Sequence, residues 1–160
     1  MSLRAGRPCP RDSELERTQV VPRELPEAFA FFADPWNLEA ITPPWLHFRV
    51  LSAPPQLARG SLLRYRLQLI GLPIVWHTVI SDWRPPLTFA DTQVVGPYPL
   101  WVHTHRFTAV DDGTEIYDHV RYRVPGGPLA RTIRRHVVRA WLDEIFDFRA
   151  LRLTVLLGSD

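Results

Sequence analysis

Apolar and polar residues alternate weakly from position 14 to 21, which predicts a first β-strand ending at Pro22. The stretch AFAFFADPWNLEAITPPWL, residues 28–46, breaks that period and predicts two short helices. The second opens with Asp34 as N-cap and Pro35 at the first helical position, where the missing N–H leaves no bond unmade, and Pro43 and Pro44 close it. Alternation returns in six runs, 47–52, 61–70, 74–83, 88–95, 100–110 and 114–124. Gly71-Leu72-Pro73, Pro85-Pro86, Gly96-Pro97 and Asp111-Asp112-Gly113 separate the later runs and supply turns. Beyond Pro125-Gly126-Gly127-Pro128 the period becomes 3.6, with Ile133, Val137, Trp141, Ile145 and Phe148 at helical spacing to near Leu157. A final helix of about 28 residues, ~42 Å long, is therefore expected.

These elements define an α+β class: one strand, two short helices, a six-strand antiparallel meander and a long C-terminal helix covering the apolar sheet face. Parity assigns that face to Leu63, Tyr65, Leu67 and Leu69, then Trp76, Thr78 and Ile80, then Phe89 and Asp91, then Trp101, His103, His105 and Phe107. Ile116, Asp118, Val120 and Tyr122 join it from the last strand, a register favoured over a one-residue shift at a Gly113 bulge by the polarity contrast. Arg64, Arg66, Gln68, His77, Ser81, Thr92, Thr104 and Arg106 fall on the other side, as a solvated face should.

Composition bounds the partners. The 160 residues suit one domain, with residues 1–12 expected as a mobile N-terminal tail and 13–160 as the single folded unit. All 19 basic residues are Arg, yet the net charge is only +2, so no nucleic-acid partner is implied. The one cysteine, Cys9, makes neither an internal disulfide nor a Cys-based metal site. No apolar run reaches the ~20 residues of a bilayer span, and the leader lacks the apolar core of a secretory signal. A cytoplasmic protein without an integral membrane span is expected.

The chemistry concentrates where the apolar face is interrupted. Asp91, His103, His105 and Asp118 sit on three adjacent strands among aromatics, and counting back from the turns pairs Asp91 with His103 and His105 with Asp118. Three roles fit: partners that fix the sheet, the polar end of an apolar ligand cavity or its acid and base, and ligands to a metal ion. For the last, His103 and His105 point both imidazoles one way, with Asp91 or Asp118 completing the set. Without cysteine or a third histidine in register, neither metal nor cofactor is expected. Trp76, Trp101 and Trp141 serve as core or, with Tyr65 and Tyr122, as pocket wall. Glu144 is either a cavity carboxylate or exposed. Arg131, Arg134, Arg135 and Arg139 read as a solvated helix face facing Asp143 and Asp147. Leu142, Phe146 and Leu153 share the opposite side of the helix, a surface for a homodimer or another protein partner.

FAFFADPWNLEAITPPWL, LTFAD, GPYPLWVHTHRF, DDGTEIYDHVRYRVPGGPL and WLDEIFDFR resemble a bacterial subfamily of the START-like, or SRPBCC, superfamily, labelled cyclase/dehydrase or coenzyme Q-binding. The resemblance covers about residues 13–155 and implies the helix-grip, START/Bet v 1-like fold, a seven-stranded antiparallel sheet wrapped on the C-terminal helix with a cavity between them. It implies binding of a hydrophobic small molecule such as a lipid, quinone or polyketide. The expected lining is Tyr65, Leu67, Trp76, Thr78, Phe89, Asp91, Trp101, His103, His105, Asp118, Val120, Tyr122, Val137, Trp141 and Phe148. A cyclase/dehydratase-type enzyme using an Asp–His pair, with His103, His105, Asp91 and Asp118 as its candidates, is the alternative, and a protein-interaction module a third.

Overall fold

The structure, a computed structural model, describes residues 12–158 apart from the side chains at positions 130, 131 and 133. The tail expected over 1–12 therefore lies, but for Asp12, outside the described residues. Seven strands follow in order: β1 (Ser13–Val21), β2 (Arg49–Ser52), β3 (Leu62–Leu69), β4 (Leu72–Arg84), β5 (Thr88–Val95), β6 (Leu100–Val110) and β7 (Gly113–Arg123). Helices α1 (Leu25–Ala33) and α2 (Leu38–Ile41) lie between β1 and β2, and α3 (Pro128–Leu157) closes the chain. Short 3-10 turns at Pro35–Asn37 and Pro44–Leu46 flank α2, and the Asp34 carboxylate caps the first by accepting from the Trp36 N–H at 3.0 Å.

The sheet is antiparallel throughout, in the order β1-β7-β6-β5-β4-β3-β2, so the meander runs in chain order and β1 adds beyond its last strand. Register through β6 and β7 is unbroken from Leu100↔Arg123 to Val110↔Gly113. Gly113 holds φ +130°, and a Cβ there would run into the Val21 carbonyl at the end of β1, so glycine lets the hairpin and β1 close together. Register shifts interrupt β2/β3 and β4/β5, the latter at His77/Thr78 and at Ile80/Asp82. No helix among the described residues is long and apolar enough to cross a membrane.

Helix α3 begins with Pro128 after Gly127 and lies across the concave sheet face. Its buried stripe is Val138, Leu142, Phe146, Arg149, Leu153 and Leu157, spaced four, four, three, four and four. This corrects the expected inward stripe. Val137 is 45% exposed, Trp141 is half-buried, and Phe148 lies at the helix edge against the Trp45 ring, centroids 5.7 Å apart. Leu142 and Phe146 are each 4% exposed and cannot be presented to a second copy or another partner. Arg149 is the reason for the misplacement: a charged residue interrupts the true stripe, so the pattern favours the uninterrupted apolar row one position away. Glu144 is exposed, as are Arg134, Arg135 and Arg139, and Arg139 pairs with Asp143 one turn on.

Among the described residues, the interior holds two apolar clusters. One gathers Phe29, Phe32, Phe89, Phe107, Ile116, Leu153 and Leu157 under α1. The other gathers Leu15, Val120, Tyr122, Val138, Leu142 and Phe146 near the start of α3.

Candidate functional site

Between those clusters runs a belt of ionisable side chains, one step along each element. On β7 Asp118 falls between Ile116 and Val120, on β6 His103 and His105 fall between Trp101 and Phe107, and on α3 Arg149 falls between Phe146 and Leu153. Asp91 on β5 completes it. Backbone pairing sets Asp91 opposite His103 and His105 opposite Asp118, as the turn count predicts.

The side chains do not keep to those two pairs. One carboxylate oxygen takes both imidazoles: His103 Nε2–H donates to Asp118 Oδ1 at 2.9 Å, and His105 Nδ1 lies 2.7 Å from the same oxygen, off the line of a formed hydrogen bond. Asp91 stands back, its Oδ2 4.0 Å from His103 Nδ1 and 3.8 Å from His105 Nε2, while Thr78 Oγ1–H donates to its Oδ1 at 3.1 Å. The two imidazoles lie 3.9 Å apart between centroids, with Phe89 stacked on His105 at 4.3 Å.

Arg149 is 9% exposed, and its Nε and Nη1 are buried without a hydrogen-bond partner. Its guanidinium carbon sits 4.8 Å from the centroid of the Phe146 ring, a cation–π contact. Two nitrogens of a buried cation are thus left unspent, on different sides of the guanidinium, at a cost of about 1 kcal/mol or more apiece unless a ligand takes them.

The charges sort by environment. For Asp118, burial favours the neutral acid, but His105 and His103 outweigh it and hold the carboxyl far below the usual range. Burial and then the adjacent His105 push His103 down to about 4. His105 is raised: burial opposes the charge, and Asp118 and Asp91 overcome it. Asp91 is lowered because His105, His103 and Thr78 outweigh its burial. Burial also lowers Arg149, against the pull of Asp118 and Asp91, and a guanidinium remains charged regardless. Two carboxylates thus face two imidazoles and one guanidinium, so each buried negative charge has a donor or cation beside it.

A cavity of about 180 Å³ opens beside this belt, between the sheet, α3 and the α1–α2 segment. Of the residues expected to line it, Tyr65, Leu67, Trp76, Phe89, Asp91, Trp101, His103 and His105 do. Thr78, Asp118, Val120 and Tyr122 share that face but lie behind the wall, the first two holding Asp91 and the histidines. Val137, Trp141 and Phe148 stand away from it, for the reason given by the rotation of α3. Leu142, Ile145, Phe146 and Arg149 take their place, and Phe32, Leu38 and Ile41 close the opposite wall. Tyr98, whose hydroxyl burial pushes up to about 12, joins Trp76 and Trp101 at one end as a proton-bearing donor. Arg149 was legible only through its spacing: turning Leu142, Phe146 and Leu153 inward carries it with them.

This architecture is the helix-grip, START-like fold. The chain superposes on the Zhui aromatase/cyclase from Streptomyces sp. R1128 with a TM-score of 0.71 at 15% identity, covering 89% of this chain and 91% of that one. Protein Ms6760 from Mycobacterium smegmatis matches with a TM-score of 0.66 at 19% identity over 90% of both chains. Ara h 8.0201 matches at 0.60 and 15% identity, over 89% of this chain and 99% of that one. Identities this low establish the fold alone. Comparison with protein families and with curated proteins finds no match.

Proposed function

We propose that this protein binds a small, largely apolar molecule carrying an anionic oxygen at one end, with the apolar part against Trp76, Trp101 and Phe89 and the oxygen on Arg149. The observation that carries the reading is the buried guanidinium with Nε and Nη1 unpaired at the wall of an otherwise aromatic cavity. An unpaired N–H of a buried cation fits a carboxylate or similar oxyanion, and burial strengthens that bond. Size narrows the ligand. About 180 Å³ is little more than the ~150 Å³ that accommodates benzene in an apolar cavity, so a one-ring acid seats as the walls stand and a lipid chain requires them to part.

Calorimetry with 4-ethylbenzoate, its neutral isostere 4-ethylbenzamide and ethylbenzene tests this. Wild type is expected to take the carboxylate at least tenfold more tightly than the amide, Arg149→Met to lose that preference, and Arg149→Lys to keep part of it. Equal affinity for acid and amide removes the role of Arg149, and no saturable binding of any probe removes the cavity reading itself.

The opposed shifts of His103 and His105 favour a second reading, in which neutral His103 accepts a proton from a bound carbonyl compound and His105 returns one. The aromatase/cyclase among the structural neighbours is compatible with such chemistry.

A further inference from the structure

Three potential ligand atoms converge on one gap at the cavity wall. Because Asp118 Oδ1 can only accept, the proton on His103 sits at Nε2, which leaves Nδ1 bare and facing Asp91 Oδ2 at 4.0 Å. The 2.7 Å approach of His105 Nδ1 to the same Asp118 oxygen places its N–H on that side too, leaving Nε2 facing Asp91 Oδ2 at 3.8 Å. Asp91 is held from behind by Thr78, so its free oxygen points into the gap. Once His105 Nε2 is free of its proton, as metal ligation requires of any imidazole, all three atoms offer lone pairs to that gap.

We propose that Asp91 Oδ2, His103 Nδ1 and His105 Nε2 form a binding site for a divalent first-row transition metal ion. The three atoms lie within 4.8 Å of one another. A triangle with two sides near 4 Å has its centre about 2.2–2.5 Å from each corner, so contraction by a few tenths of an ångström reaches the ~2.0–2.2 Å of zinc–nitrogen and zinc–oxygen bonds. Two imidazoles and one carboxylate on one side of an ion make a donor set used by zinc and by non-haem ferrous iron. Asp118 supplies what such sites need behind the ligands: a carboxylate on the distal N–H of a ligating histidine, here of both at once. Hydrogen-bonding His105 fully to Asp118 requires only a tilt of its ring.

The open side of the ion faces the cavity, which the three ligands line together with Arg149, and Asp118 and Thr78 close the other side. A ligand oxygen entering from the cavity thus meets the ion and the unpaired guanidinium together. The site stands on the geometry of the belt and not on the identity of any organic ligand. A second group, Glu14, Glu16 and His119, also brings three donor atoms together on the outer face of β1 and β7, but both of its glutamates are solvent-exposed.

The test is titration of the metal-free full chain with Co²⁺, followed by displacement with Zn²⁺. Expected are a visible absorption band saturating at one ion per chain, loss of that band in His103→Gln and Asp91→Asn, and a 10–100-fold weaker site in Asp118→Asn. The doubly substituted Glu14→Gln, Glu16→Gln chain should keep the band. Proton–nitrogen spectra of wild-type imidazoles cover the case in which a belt variant does not fold: Zn²⁺ should shift Nδ1 of His103 and Nε2 of His105. Absence of a saturable band, its loss only in the Glu14/Glu16 variant, or shifts confined to His47, His77, His119 or His136 overturns the proposal. Benzoate binding with no cobalt band also overturns it, and leaves the ligand cavity standing.

Discussion

A single oxygen, Asp118 Oδ1, organises the site at the scale of the residue. By engaging Nε2 of His103 and approaching Nδ1 of His105, it selects the tautomer of each ring and turns their other nitrogens toward the cavity. The two rings are then shifted in opposite directions, since burial and the adjacent His105 lower His103 to about 4 while, against its burial, Asp118 and Asp91 raise His105. If that asymmetry serves proton transfer, the protein should speed deuterium exchange into the methyl group of 4-ethylacetophenone in D₂O. His103→Gln is then expected to slow exchange about 10²-fold or more and to leave 4-ethylbenzoate affinity within threefold. Exchange no faster than in buffer, or unchanged in the variant, removes the enzymatic reading. Parity and turn counting placed Asp91, His103, His105 and Asp118 on one face because strand periodicity is rigid. Which carboxylate each imidazole would choose was not legible, because side-chain rotation lets Asp118 reach a residue diagonal to its backbone partner.

At the scale of the element, α3 shows where periodicity stops being informative. Its apolar residues cover a broad arc, so two adjacent stripes compete, and only the sheet beneath decides between them. The strands carry no such ambiguity, because a strand has two faces and the polarity contrast between them is strong. The short helices were legible through Asp34 and Pro35, whose capping chemistry is local, while the start of α1 at Leu25 lay earlier than its apolar run suggested. The burial of the helix can be measured directly. Leu142→Ala should cost about 2–5 kcal/mol in urea unfolding, because it opens a cavity between α3, Val120 and Tyr122, and Val137→Ala should stay within about 0.5 kcal/mol. The reverse order would mean that α3 is rotated from the position described.

At the scale of the whole molecule, the fold is a sheet bent around one helix, with charge running straight through the middle of its apolar interior. Water cannot screen this belt, so its members must balance one another, and removing any one strands the others. The sequence placed four of the five on the inner face and missed the fifth, Arg149, whose side chain enters from the helix. Only the complete fold brings it beside the strands.

That belt is also a fault line. Apolar packing is cooperative where it is continuous, and here polar groups separate the buried residues of the cluster beneath α1 from those at the start of α3, leaving the half-buried Trp76 and Trp101 rings, centroids 5.1 Å apart, as an apolar bridge. The two halves are therefore expected to open as separate units. Amides of Ile116 and Leu153 should exchange hydrogen with a different opening free energy from those of Val120 and Phe146, and an occupant of the belt should draw the two values together. One shared value in the empty protein would show that the core opens as a whole. The floor of the cavity is then, in mechanical terms, also the hinge along which the protein comes apart.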